Sequence, residues 1–116
     1  MRSFVIKDLM SQTILGEGKQ RVFFDKVILD NDIIIIVGGG ETSHVGGVVI
    51  CEPDQPVQML ALTGHQDIKV LQPLAIAAFR KYKRRVTVLG GIHIDNASKD
   101  DITAIINNCK QLEEYL

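Results

Sequence analysis

The hydrophobic period of this chain changes once, and that change constrains the fold more than any other feature. Up to Thr63 the apolar residues come in short runs: Ser3–Ile6, Arg21–Phe24, Lys26–Leu29, Asp32–Gly38, Val45–Glu52 and Val57–Thr63. The runs are rich in β-branched and aromatic residues. Turn residues separate several of them, at Gly16–Gly18, Asp30–Asp32 and Pro53–Pro56, so they read as strands. After Gly64, residues Ile68, Leu71, Leu74, Ala75, Ala78, Phe79 and Tyr82 recur at three- and four-residue intervals and predict a helix. Arg85–Ile94 is strand-like again. Ile102, Ile105, Ile106, Cys109, Leu112 and Leu116 then form a last helical stripe, opened by a Ser98–Asp101 capping-box spacing. Hairpin-connected strands followed by helix, strand, helix predict an α+β fold. It would be a mainly antiparallel sheet of five to seven strands with two helices in the C-terminal half.

Two local expectations are sharper. The run DIIIIVG (Asp32–Gly38) does not alternate, so both its faces are expected to be covered, at the centre of the sheet or in an interface. Pro73 falls inside the first helical pattern, where proline costs ~3 kcal/mol. A kink there, or a helix that begins in earnest at Pro73, is expected.

At 116 residues and 46% hydrophobic, one domain over residues 1–116 is expected, large enough to bury a core. A formal charge of −1 gives no global attraction to nucleic acid or to an anionic membrane. The basic cluster Arg80, Lys81, Lys83, Arg84 and Arg85 reads as a solvated helix end whose cations complement the dipole. No apolar stretch reaches the ~18–20 residues of a membrane span, and MRSFVIKDLM lacks the pattern of a secretory signal. Cys51 and Cys109 lack metal-like spacing and read as reduced, buried thiols. A cytoplasmic protein is expected.

Candidate chemistry gathers at glycine corners. His44 follows GGGETS, His65 follows TG, and His93 follows GG. Eight of the ten glycines lie beside these histidines, where a backbone either turns or lets something approach. His65 and Asp67 are expected near one helix N-terminus, with Asp95, Asn96 and Ser98 at the start of the other, both favourable to anions. If the corners share one edge of the sheet, they form a polar pocket. Its candidate contacts are Gly38, Gly39, Gly40, His44, Gly46, Gly64, His65, Gly91, His93, Asp95 and Asn96. The plain alternative is that the glycines are turns and the histidines are surface residues.

Several familiar chemistries do not fit. GGGETS lacks G-x-G-x-x-G and is followed by a strand pattern, so it is no dinucleotide fingerprint. It has no G-K-[ST] and so is no P-loop. Three histidines could hold zinc, yet their spacing matches no recognised ligand pattern, and no metal is expected. Ser43 and His44 are adjacent on an extended chain and point to opposite faces, which argues against a nucleophile–base pair. An acid–base role for the histidines stays open, as does a purely structural homo-oligomer using Ile33–Val37.

The segments GGGETSHVGGVVI, LTGHQD and VLGGIHIDNAS, followed by the last amphipathic helix, resemble the LpdD-like prenylated-flavin chaperone family. Its members are small subunits associated with gallate and related hydroxyarylic acid decarboxylases. The resemblance implies a non-catalytic accessory protein that helps a UbiD-type decarboxylase acquire prenylated FMN. The ligand would be prenylated FMN or FMN, held transiently. It further implies a fold similar to small proteasome-assembly chaperones, and a homodimer or higher homo-oligomer. It carries no catalytic residues, and the matching glycines and histidines transfer only as candidate contacts.

Overall fold

A computed structural model describes residues 10–62 and 67–116. The strand expected at Ser3–Ile6 and the corner residues Gly64 and His65 lie outside them. Six strands form one sheet in the order β1-β2-β3-β6-β4-β5. They are β1 (Met10–Leu15), β2 (Val22–Ile28), β3 (Asp32–Gly39), β4 (Thr42–Cys51), β5 (Gln58–Ala61) and β6 (Arg85–His93). All neighbours are antiparallel except β3 and β6. Helix α1 (Ile68–Tyr82) precedes β6 and α2 (Lys99–Leu112) follows it. The α+β expectation holds.

Three local expectations are corrected. The two runs Arg21–Phe24 and Lys26–Leu29 are one strand, β2, that continues through Asp25; that carboxylate accepts from Gln12 Nε2 across the β1 pair (2.8 Å), so it does not break the ladder. Strand β1, unexpected because Ser11, Gln12 and Thr13 dilute its apolar pattern, is held by that pairing. Of the two expectations for Pro73, a start of the helix there is the one corrected: α1 begins five residues earlier, at Ile68. The buried stripe Leu71, Leu74, Ala75 and Ala78 spans the proline, and tertiary packing outweighs its local cost.

Both helices lie on the same side of the sheet. Ile33, Ile35 and Val37 of β3, Val86 and Val88 of β6, Val22 and Phe24 of β2, and Val49 and Cys51 of β4 point to that side. They meet Leu71, Leu74, Ala75 and Ala78 from α1 and Ile105, Cys109 and Leu112 from α2 in one core. Strand β3 is central in the sheet, one of the two placements its sequence allowed. Its second face, however, is not covered by any described residue: Ile34 is half-buried and Ile36 is exposed.

Helix α2 starts where its sequence places it. Ser98 Oγ accepts from Asp101 N (3.0 Å) and Asp101 Oδ2 accepts from Ser98 N (3.0 Å), a complete capping box. Asp101 also accepts from Gln20 Nε2 at 3.1 Å and pairs with Lys19 Nζ at 3.4 Å. The Gln20 bond, then the Ser98 backbone bond, holds its carboxyl down at about 2.

Candidate functional site

Strand β6 runs between β3 and β4, so the link joining those two strands is not a hairpin. Gly40 and Glu41 carry the chain over the C-terminal end of β6, where Glu41 N donates to His93 O (2.8 Å) and Gly40 bridges to His93. Gly40 has φ +72°, and a Cβ there would come 2.4 Å from His93 O. Gly39, at φ +147°, lies against Arg21 O in the same way. The ring of Phe23 covers Gly38 from the opposite face of the sheet, 2.4 Å from where a Cβ would stand. These three glycines serve a crossing of the chain over itself.

The two corners within the described residues, at His44 and His93, share one edge. The ends of β3 and β6 and the start of β4 meet there, and α1 and α2 both begin there. Strand β4 is irregular at this edge. Its register against β6 shifts between Ser43 and Gly47, so three residues, His44 to Gly46, stand opposite Gly91 alone. A bulge of this kind re-aims a side chain. Here it turns His44 toward the helix side, against Asp67, the residue just before α1.

Asp67 does not cap its own helix with its side chain. Oδ1 accepts from Ile92 N of β6 (2.9 Å), beside the register shift, and Oδ2 accepts from His44 Nε2 (3.2 Å). The pair is mostly enclosed, with side chains 21% and 9% exposed. Gly46 and Gly91 make room for it: a Cβ on Gly46 would fall 2.0 Å from Asp67 Oδ2, and one on Gly91 2.8 Å from His44 Nε2. A second pair lies alongside. His93 Nε2 donates to Asp95 Oδ1 (2.8 Å), and Asp95 N donates to Glu41 Oε1 (2.9 Å). The His44 and His93 rings meet edge to face with centroids 6.0 Å apart. Each imidazole therefore has a carboxylate behind it that fixes its orientation.

Both rings border a cleft of about 530 Å³ between β6, α1 and α2. Its apolar walls are Val70, Ile92, Ile94, Ile102, Ile105 and Ile106, and Asp67 and Lys69 complete the polar side. The volume falls within the ~300–1,000 Å³ usual for small-molecule sites. Cys109 backs this region without reactive potential: burial, with the Asp67 charge adding to it, pushes the thiol up to about 12.

The structure thus brings together His44, Gly46, Gly91, His93 and Asp95 from the expected set. Gly38, Gly39 and Gly40 support the corner from outside the cleft. Asn96, at φ +51°, makes the turn into α2. Asp67 and the aliphatic walls were not in the set. Asp67 stood one helix start away from His44 in sequence, and only the bulge, which no local pattern announces, joins them. The isoleucines carried a signal: Ile102 and Ile106 lie on the α2 stripe yet stay 50% and 41% exposed. Among the described residues no group of three His, Cys, Asp or Glu side chains is placed to hold a metal ion.

Residues 16–116 match the family model of the prenylated flavin chaperone LpdD-like domain. The chain belongs to that family. The LpdD-like match takes in the bulge, Asp67, both histidine pairs and all the walls of the cleft. Among solved structures, the LpdD-like fold resembles a chain from a chaperone complex for yeast 20S proteasome assembly. The TM-score is 0.56 at 14% identity, with 92% of this chain and 97% of that chain covered. The expected likeness to proteasome-assembly chaperones is therefore a likeness of fold. No match was found among curated proteins. No helix among the described residues is long and apolar enough to cross a membrane.

Proposed function

We propose that this LpdD-like protein is a cytoplasmic accessory protein that binds prenylated FMN or FMN transiently, for delivery to a UbiD-type decarboxylase, and works as a homo-oligomer. The observation that carries the reading is the cleft between the helices and the end of β6. A flavin is a broad, largely apolar ring system with polar edges and an anionic phosphate. Branched aliphatic walls suit the ring and a prenyl extension, while His44, His93 and Lys69 line one polar side. The carboxylates behind the histidines are engaged within the chain, which leaves the site shaped for holding a ligand.

Binding tests the reading directly. Prenylated FMN and FMN are titrated into the protein and followed by native mass spectrometry and flavin fluorescence. Ile106→Glu and His93→Ala, both at exposed positions, are expected to weaken binding at least tenfold while the melting temperature moves by no more than about 2 °C. A wild-type protein that takes up neither flavin, where a control flavoprotein retains its own, removes the reading. The two carboxylate-backed histidines favour a second one, a small acid–base enzyme using the same cleft. Conversion of a bound ligand by wild type, abolished in His44→Ala, would select it.

A further inference from the structure

The polar side of the cleft is rich in carboxylates and poor in positive charge. His44 Nε2 and His93 Nε2 each give their proton to a carboxylate, Asp67 Oδ2 at 3.2 Å and Asp95 Oδ1 at 2.8 Å. A neutral imidazole has one N–H, so in that state neither ring keeps a donor for a ligand. A ring that takes up a second proton forms a pair of no net charge with the carboxylate behind it. Among the described residues that line the cleft, Lys69 alone carries a fixed positive charge, and Asp67 lines it too. The two helix starts, expected to favour an anion, hold the chain's own carboxylates instead. Asp67 stands just before α1, with Oδ1 bonded to Ile92 N at 2.9 Å. At α2, Ser98 and Asp101 satisfy each other in the capping box, and Asp100 adds a second acid to the first turn. Glu41, which accepts from Asp95 N at 2.9 Å, brings one more carboxylate to this edge. Acidic residues in a first turn offset the partial positive charge of a helix start, and an anion brought there meets like charge.

A flavin mononucleotide has two unlike ends. One is an uncharged ring system whose imide edge offers an N–H between two carbonyls. The other is a phosphate monoester, close to doubly charged at neutral pH and rich in acceptor oxygens. We infer, on the flavin reading above, that the cleft grips the ring end and leaves the phosphate outside in solvent. The aliphatic walls, Val70, Ile92, Ile94, Ile102, Ile105 and Ile106, suit the ring. The imide N–H calls for an acceptor, which the carboxylate-rich side supplies. The phosphate calls for donors and positive charge, of which the cleft wall has Lys69 alone. Selection is thus partly repulsive: the carboxylates keep the charged end of the ligand out of the cleft. An exposed phosphate is also the first group that a receiving protein can take hold of, so the flavin passes on without first being released into water.

Titration of riboflavin against FMN, followed by flavin fluorescence and calorimetry, tests this, since the two differ only in the phosphate. Their dissociation constants are expected to agree within about threefold. That of FMN should change less than about twofold between about 50 and about 500 mM salt, because a phosphate held away from cations has no pair to screen. Inorganic phosphate should displace neither flavin. Ile106→Glu, at an exposed position on the cleft wall, should weaken both at least tenfold. FMN held more than about threefold tighter than riboflavin, loosened by salt or displaced by phosphate puts the charged end inside. That result overturns the inference while the flavin reading stands. Riboflavin binding indifferent to Ile106→Glu lies outside the cleft and overturns it as well. Uptake of neither flavin, where a control flavoprotein retains its own, removes the flavin reading and this inference with it.

Discussion

Asp67 and Asp101 stand at the starts of the two helices, and the molecule uses them differently. Asp101 is turned back on its own helix: it completes the capping box with Ser98, accepts from Gln20 and pairs with Lys19. Asp67 is turned away from its helix, toward the Ile92 amide and the His44 ring. Each can be made the more favourable choice by its surroundings. At α2 the cap and a polar turn, Gly18–Gln20, converge on one carboxylate. At α1 a strand bulge and two glycines open a space that the carboxylate fills. A helix-start aspartate is therefore structural where donors from its own cap and from a packed neighbouring turn converge on it, and belongs to a site where neighbouring strands leave it room.

The comparison can be broken most forcefully at α2. Asp101→Ala is expected to cause the largest fall in melting temperature of these variants, beyond the few degrees typical of one lost cap, because the Gln20 and Lys19 contacts go with it. Flavin binding should change less than twofold. The same carboxyl carries an acid signature: held at about 2 in the fold, below its unfolded value near 4, it stabilises the protein fully above that value. That contribution is lost as the pH falls from about 4 toward 2, and denaturation curves of Asp101→Asn should show a flatter acid limb over this window.

Gly46→Ala strikes the other end. Its Cβ would overlap Asp67 Oδ2, so the carboxylate must leave His44; a cost of about 1–3 kcal/mol and at least tenfold weaker binding are expected, measured by urea unfolding and flavin titration. The smallest effect belongs to Asp67→Asn, which keeps an acceptor for Ile92 N while replacing the oxygen that faces His44 Nε2 with an uncharged NH2 donor. A loss of stability under about 1 kcal/mol, with a changed pH profile of binding, would place Asp67 as a residue that positions His44. Equal damage to stability from Asp67→Asn and Asp101→Asn would erase the distinction.

The Asp101 end is legible in the sequence because everything that forms its cap lies within four residues, and the stripe that follows has one period. The apolar run of β3 makes a central place in the sheet one of two readings, and the same-side spacing of His93 and Asp95 permits the contact they make. The Asp67 end is not legible. Its geometry depends on β6 entering between β3 and β4 and on a two-residue register shift, and both are long-range pairings without a local mark. The apolar run of β3 left a choice for a related reason: it asks for cover on both faces, and no described residue covers the second.

The insertion of β6 also sets an order of events. Before residues 85–93 emerge from synthesis, β1, β2 and β3 can pair among themselves and β4 can pair with β5, but no strand pairing joins the two groups. Each has a bare inner edge, of the sort that recruits foreign strands. The last strand of the sheet is therefore its keystone. The chain commits to its topology only after nearly four-fifths of it has been made, and β6 must find two edges at once across long sequence separations.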